Sequence, residues 1–344
     1  MNSYERAMTA IKLKVPDRVP VGLYNFLMTA RESDVPLREF FQNGELMGEG
    51  QRRAWKQFGH DVLMLENGTA ALAQACGCGV EYPDNSAPVV QSPAIERLEQ
   101  VKELKIPDPY QTHPLPELLK ATRIVSQEVG NKAFVIGQAD QGPFSLAALI
   151  RGTNRFLTDI ALGEQTKLIE QLLDYCREVV ARYATAQIEQ GAHATCIGES
   201  LSGPDVVSPR HYEKFAYWNV RRLVQDLKKR RILLAYHICG NATPIITKMV
   251  ETGAAILEVD YKVDLAKVKT AATGKTCLLG PMDPSGVMAL GNKEEVSHRC
   301  REALRFLAPQ GGFILAPGCA LPPETPAENI YTMIEEARQY QYSI

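Results

Sequence analysis

No run in the 344-residue chain approaches the roughly 18 apolar residues that a membrane-spanning helix needs. The opening residues, Met1 through Met8, lack the basic-then-apolar order of a secretory leader. Charge of one sign is missing too. The 38 Lys and Arg against 40 Asp and Glu leave a formal net charge of −2, a field too weak to hold nucleic acid or an anionic membrane. The basic run Lys228-Lys229-Arg230-Arg231 reads as the solvated end of a helix. These absences predict a cytoplasmic protein with neither nucleic acid nor membrane as a partner. In a reducing compartment its eight cysteines are free thiols or metal ligands, not a disulfide framework. A Gly-x-Gly-x-x-Gly turn after the first apolar run is also absent, which counts against an open dinucleotide-binding sheet.

What the chain does contain is rhythm. Eight short apolar runs, rich in β-branched residues, fall at 19–26, 61–66, 134–139, 194–199, 232–238, 255–260, 277–279 and 313–316. Several are nearly continuous, as in parallel strands buried on both faces. Helical patterns lie between them at 165–189, 209–229, 244–252, 265–271, 293–307 and 326–339. Ser208-Pro209, Thr243-Pro244 and Thr325-Pro326 each set a capping hydroxyl before a proline that a first helical turn tolerates. Repeated strand–helix units predict a (β/α)₈ TIM barrel, with residues 1–344 as one domain. The rhythm breaks at about 69–116, a proline-rich stretch with short strands near 80–82 and 89–91 and a small helix near 94–104. It predicts an excursion over the barrel mouth, where binding loops belong.

Barrel enzymes carry their chemistry at the C-terminal strand ends. Three side chains there make a metal set. His237 and Cys239 stand two apart after the fifth run, and Cys319 follows the eighth across Pro317-Gly318. One imidazole and two thiolates suit zinc and leave a fourth position for substrate. A lone His-x-Cys is a weak signal; three candidates gathered at one barrel end are a stronger one. Glycines at 240 and 318 let the backbone turn closely around an ion. Glu199 and Asp260 are candidates for a labile fourth ligand or a proton acceptor, with a supporting hydrogen bond as the alternative. Asn67, Gln138 and Asp140 are candidate substrate or corrinoid contacts. Cys76, Cys78, Cys176, Cys196, Cys277 and Cys300 read as packing, and no other histidine has an obvious partner.

The sequence resembles the uroporphyrinogen decarboxylase superfamily over nearly its whole length. Within it, it is most similar to zinc-dependent corrinoid methyltransferases of the methylcobalamin:coenzyme M type. The resemblance is carried by Glu5-Arg6-Ala7 through Asp17-Arg18-Val19-Pro20-Val21, by Gly142-Pro143-Phe144-Ser145-Leu146-Ala147, and by Ser202-Gly203-Pro204-Asp205. It continues in His237-Ile238-Cys239-Gly240-Asn241, Leu279-Gly280-Pro281-Met282-Asp283-Pro284 and Ala316-Pro317-Gly318-Cys319. It implies a (β/α)₈ barrel with zinc on His237, Cys239 and Cys319. It also implies transfer of a methyl group between cobalamin on a separate corrinoid protein and a small thiol, methoxy or methylamine substrate. The metal-free decarboxylase branch carries an Arg-Gln-Ala-Gly-Arg segment near its first strand. Residues 21–31 hold only Arg31 there, so haem-pathway decarboxylation is the alternative. A non-catalytic scaffold that docks a corrinoid protein is a third reading.

Overall fold

The computed structural model describes residues 1–342. Among them, each of the eight expected apolar runs forms a strand. In chain order the strands are β1 (Gly22–Leu23), β2 (Val62–Met64), β3 (Gly79–Glu81), β4 (Val89–Ser92), β5 (Phe134–Gln141) and β6 (Ala194–Gly198), then β7 (Leu233–Ile238), β8 (Ile256–Val259), β9 (Cys277–Met282) and β10 (Phe313–Pro317). All but β3 and β4 join one sheet in the order β1-β2-β5-β6-β7-β8-β9-β10, parallel throughout. Its two edges meet where Val21 bridges Leu315 and the Leu315 N–H donates to the Pro20 carbonyl at 2.9 Å. The sheet is thus curled almost shut, with helices outside: a (β/α)₈ barrel.

Register decides what points inward. Paired residues of a parallel ladder share a face, and successive residues alternate. Met64 pairs with Ile136, Gln138 with Cys196, Cys196 with Ala235, and Ala235 with Ile256. One step further along, Gly198, His237, Glu258 and Leu279 stand side by side. The opposite face packs on helices: Thr195 donates to Gln187 of the helix Thr166–Glu189, and the Tyr236 hydroxyl meets that of Tyr212. The first set therefore faces the barrel interior. It is aliphatic at Met64, Ile136, Ala235 and Ile256 and carries polar groups at Gln138, His237 and Glu258.

The other end of the barrel is held by charge. Asp61, fully buried just before β2, takes Arg6 at 2.7 Å, Arg18 at 2.8 and 3.0 Å, and the Val21 N–H at 2.9 Å. Arg6 rides on the N-terminal helix Ser3–Ile11, which Asn2 and Glu5 close with a reciprocal capping box. The motif-bearing N-terminus is thus a plug on the barrel floor, remote from the strand ends that carry the metal candidates.

The excursion leaves the end of β2, forms the helix Ala71–Ala75, then the antiparallel pair β3–β4 and a 3₁₀ turn at Leu98–Glu103. Eight helices lie outside the expected helical patterns: Ser3–Ile11, Phe26–Arg31, Leu37–Phe40, Gly44–Phe58, Ala71–Ala75, Leu115–Val129, Pro143–Arg151 and Thr153–Leu162. The first apolar run also ends early, because Phe26 already starts a helix. Of the three expected hydroxyl caps only Ser208 acts as one, accepting the His211 N–H. The Thr243 hydroxyl accepts from Asp264 N–H instead, and that of Thr325 donates to the Pro322 carbonyl. No helix among the described residues is long and apolar enough to cross a membrane.

Candidate metal centre

His237 is the penultimate residue of β7, and its inward register carries the imidazole into the barrel mouth. Its Nε2 lies 2.9 Å from Cys239 Sγ, and Cys239 Sγ lies 3.8 Å from Cys319 Sγ, which arrives after β10. Among the described residues this is the one group of three or more His, Cys, Asp or Glu ligand atoms lying mutually within 4.8 Å. Tetrahedral zinc with Zn–S bonds of about 2.3 Å places two sulfurs about 3.8 Å apart. The thiol pair already has that spacing, and the imidazole needs to back away by about 0.6 Å to admit a metal bond. His237 Nδ1 lies 3.3 Å from the Glu258 carbonyl, an outer bond that assigns the proton to Nδ1 and leaves Nε2 for a metal. The donor set fits zinc.

Charge points the same way. The Cys239 thiol is pushed well below its ordinary range, chiefly by the hydrogen bond from Cys319, then by the His237 charge and the Ser200 hydroxyl, against burial. Burial opposes charge on His237 as well, but the Cys239 thiolate prevails and raises the imidazole to about 9. Cys319 moves up because its proton is held between the two sulfurs. Without metal the three groups share protons, and those protons occupy the place of a cation.

Two glycines and a carboxylate shape the turn. Gly240 has φ +86°, and a Cβ there would sit 2.1 Å from Asp205 Oδ2. Its N–H donates to Asp260 Oδ2 at 2.8 Å, while Asp260 Oδ1 accepts the Lys262 N–H at 3.0 Å. Gly318 lies so close to β8 that a Cβ would be 3.0 Å from Tyr261 N and 3.1 Å from both Asp260 Cα and the Val259 carbonyl. Asp260 is therefore the brace of the metal loop, with both carboxylate oxygens spent on backbone amides.

Glu199 is fully buried, and its carboxylate accepts the Phe144 N–H at 2.8 Å and the Ser145 N–H at 2.7 Å. It caps the helix Pro143–Arg151 from outside the ligand group. Burial raises it to about 7, against the bonds from those two amides. Asp140 does the same for the helix Ala71–Ala75, accepting the Leu72 N–H at 2.7 Å from a left-handed backbone at φ +62°. Gln138 does face the interior, its Nε2 donating to the Tyr24 hydroxyl at 3.0 Å and to Glu66 at 3.3 Å. Asn67 is buried with Oδ1 unpartnered.

The interior residues missed by sequence reasoning are Tyr24, Glu66 and Glu258. Burial pushes the Glu66 carboxyl up to about 8. Glu258 is raised by burial too, and its Oε1 has no partner. The available signal was a glutamate inside each of two aliphatic runs, Leu63-Met64-Leu65-Glu66 and Ile256-Leu257-Glu258-Val259. A lone acid in a two-sided buried strand has nowhere to go but a polar interior.

The uroporphyrinogen decarboxylase family model matches residues 2–340. A protein named methylcobamide:CoM methyltransferase from Methanosarcina mazei is 28% identical over 342 residues, covering 98% of each chain. A uroporphyrinogen decarboxylase from Microcystis aeruginosa is 30% identical over 324 residues, covering 91% of this chain and 88% of that one. The solved structure of a methyltransferase from Methanosarcina mazei superposes with a TM-score of 0.89 at 25% identity, over 98% of this chain and 99% of the other.

Proposed function

The chain belongs to the uroporphyrinogen decarboxylase family, and from that premise we propose that it is a zinc-dependent methyltransferase moving a methyl group from a corrinoid on a partner protein to a small thiol. The observation that carries this reading is the His237, Cys239 and Cys319 set at the barrel mouth. Zinc held there would lower the pKa of a thiol reaching its free position, supplying a thiolate at neutral pH. The substrate thiol loses its proton, its sulfur takes the methyl group, and the cobalt–carbon electron pair stays with the corrinoid. The protein's share is placement. The Glu258 carbonyl orients His237, Ser200 and Asp260 brace the Cys239-Gly240 backbone, and the aliphatic interior residues keep bulk water from the reacting sulfur. Relatives bearing methylcobamide:CoM methyltransferase names across their full length support the corrinoid half of the reading.

Decarboxylation of a porphyrinogen, an activity named among relatives, is less well served. A substrate with many carboxylates wants several converging arginines. Residues 21–31 hold Arg31 alone, and its guanidinium donates to the Pro323 carbonyl at 3.3 Å. Arg6, the one buried Lys or Arg among the described residues, is bound to Asp61 at the opposite end.

The test is turnover of methylcobalamin against thiols, tetrahydrofolate and methoxyaromatics, with metal analysis alongside. The expected outcome is one zinc per chain, metal-dependent thioether formation, and loss of zinc in His237→Ala and in Cys319→Ser. Full zinc occupancy in a Cys239→Ser, Cys319→Ser double variant would remove the assignment. Coproporphyrinogen formation without thiol methylation would install the decarboxylase. A zinc site whose fourth position never exchanges with thiol would leave a docking scaffold.

A further inference from the structure

Six of the eight cysteines are buried: Cys76, Cys78, Cys176, Cys196, Cys277 and Cys300. Cys78, Cys196 and Cys277 each donate to a backbone carbonyl at 3.6 to 3.7 Å, and Cys300 faces the Met282 sulfur at 3.8 Å. Cys239 and Cys319 differ on both counts. They are the two that are partly exposed, and their sulfurs face each other at 3.8 Å across 80 residues of chain.

Backbone anchors set that spacing. Cys239 N–H donates to Ser200 Oγ at 3.3 Å, and Gly240 N–H to Asp260 Oδ2 at 2.8 Å. On the other side Gly318 N–H donates to the Met282 carbonyl at 2.7 Å, and Leu321 N–H to the Tyr24 carbonyl at 2.8 Å. Both turns are therefore tied to the barrel by bonds in which no ion takes part, and the two thiols are held at contact in place of a chance encounter. A cysteine sulfur swings on one bond. Closing from 3.8 Å to the roughly 2.0 Å of a disulfide asks each sulfur to move by about 0.9 Å. The spacing that admits zinc also admits a sulfur–sulfur bond.

We propose that Cys239 and Cys319 are an oxidation site, where hydrogen peroxide converts the pair to a disulfide that takes two of the three ligands from the metal. The bond ties the end of β7 to the segment after β10, with β8 and β9 between them in the sheet. The Cys239 sulfur attacks one peroxide oxygen, the O–O bond breaks, and the departing oxygen leaves as water with the thiol proton. The Cys319 sulfur then attacks the Cys239 sulfur. The S–O bond breaks, and the hydroxyl leaves with the Cys319 proton as a second water. Two thiols give up two electrons, and one peroxide takes them. Zinc and disulfide thus exclude each other, because His237 alone does not hold the ion. Only the release of zinc rests on the metal reading; the crosslink is a property of the two sulfurs.

The test treats the zinc-loaded protein with hydrogen peroxide, following zinc release with a metallochromic indicator and free thiols by alkylation and intact mass. The expected outcome is loss of two thiols and one zinc per chain in a single phase, with six cysteines still open to alkylation after unfolding. A non-reducing peptide map then joins Cys239 to Cys319, and dithiothreitol restores both the thiols and zinc binding. Protein stripped by a chelator crosslinks faster by about tenfold or more, because zinc engages the sulfur lone pairs. In Cys319→Ser the crosslink is gone and Cys239 stops at the sulfenic acid, which dimedone traps. In Cys78→Ser, outside the pair, crosslink and zinc release persist, so the assignment does not hang on one variant folding. A map that joins Cys76 to Cys78 instead, or Cys239 carried to sulfinic acid with Cys319 still free, overturns the proposal. So does zinc lost with all eight thiols intact. Protein that binds no zinc yet forms the Cys239–Cys319 crosslink upholds the oxidation site and removes the metal reading by itself.

Discussion

A single methyl group tests how closely the metal loop is fitted. In Gly318→Ala the new Cβ would press on backbone atoms of Val259, Asp260 and Tyr261, which cannot swing aside as a flexible side chain would. The expected outcome is a displaced Cys319 and zinc affinity reduced by about tenfold or more, measured by competition with a chelator. Overall melting should change little at saturating zinc, because the loop lies at the mouth. At the other end, His60 is buried with neither ring nitrogen partnered, so it folds neutral. Burial lowers it from 6.5 to about 4, despite the neighbouring Asp61 charge. A folded value below the unfolded one means that its share of stability is complete above 6.5 and is lost as pH falls through about 4. That share is of the order of 3 kcal/mol. His60→Leu should flatten the acid side of a stability–pH curve between those limits, and an unchanged slope in denaturant titrations would refute it.

At the scale of elements, carboxylates do the work of helix caps. A helix start leaves several N–H groups without partners, and a buried start cannot leave them to water. Glu199 answers two of them on Pro143–Arg151, and Asp140 one on Ala71–Ala75. Glu199 follows β6 and Asp140 lies near the end of β5, and each meets a helix that follows another strand, so each cap pins two barrel units together. Glu199→Ala should therefore lower stability by about 1–3 kcal/mol, with zinc stoichiometry intact in the folded protein. Loss of zinc from folded Glu199→Ala would return this residue to the metal's neighbourhood. The π-helical turn at Tyr212–Tyr217 belongs to the same scale. It lies inside one continuous amphipathic pattern, and periodicity alone reads straight through it.

For the whole molecule, the proposed methyl transfer raises the question of how a large corrinoid partner would reach a metal held inside the barrel mouth. The excursion with its β3–β4 pair and the segment around Ser202-Gly203-Pro204-Asp205 are the proposed docking rim. A transient partner calls for a modest, largely polar contact. Shortening the 85–93 tip should slow methyl transfer from the methylated corrinoid protein much more than transfer from free methylcobalamin. Equal losses would mean that the tip shapes the pocket, and unchanged rates would remove it from function.

Sequence by itself determined the barrel, because strands buried on both faces must be written as nearly continuous apolar runs, and eight such runs leave few architectures. It also marked the candidate metal set, because His237 and Cys239 stand two apart at the end of one strand and Cys319 follows another, and the structure brings the three together at one rim. Only the tertiary structure decided the roles of the carboxylates. Glu199, Asp260 and Asp140 have the same charge and the same strand-end position as an acid that binds substrate, yet each accepts from a backbone amide 20 to 68 residues away in sequence. Glu66 and Glu258 differ from them by a register that turns the side chain inward and by the absence of any backbone amide bonded to the carboxyl. Neither property is local: register is set by the neighbouring strands, and the supply of donors by how a closed barrel folds around its own axis.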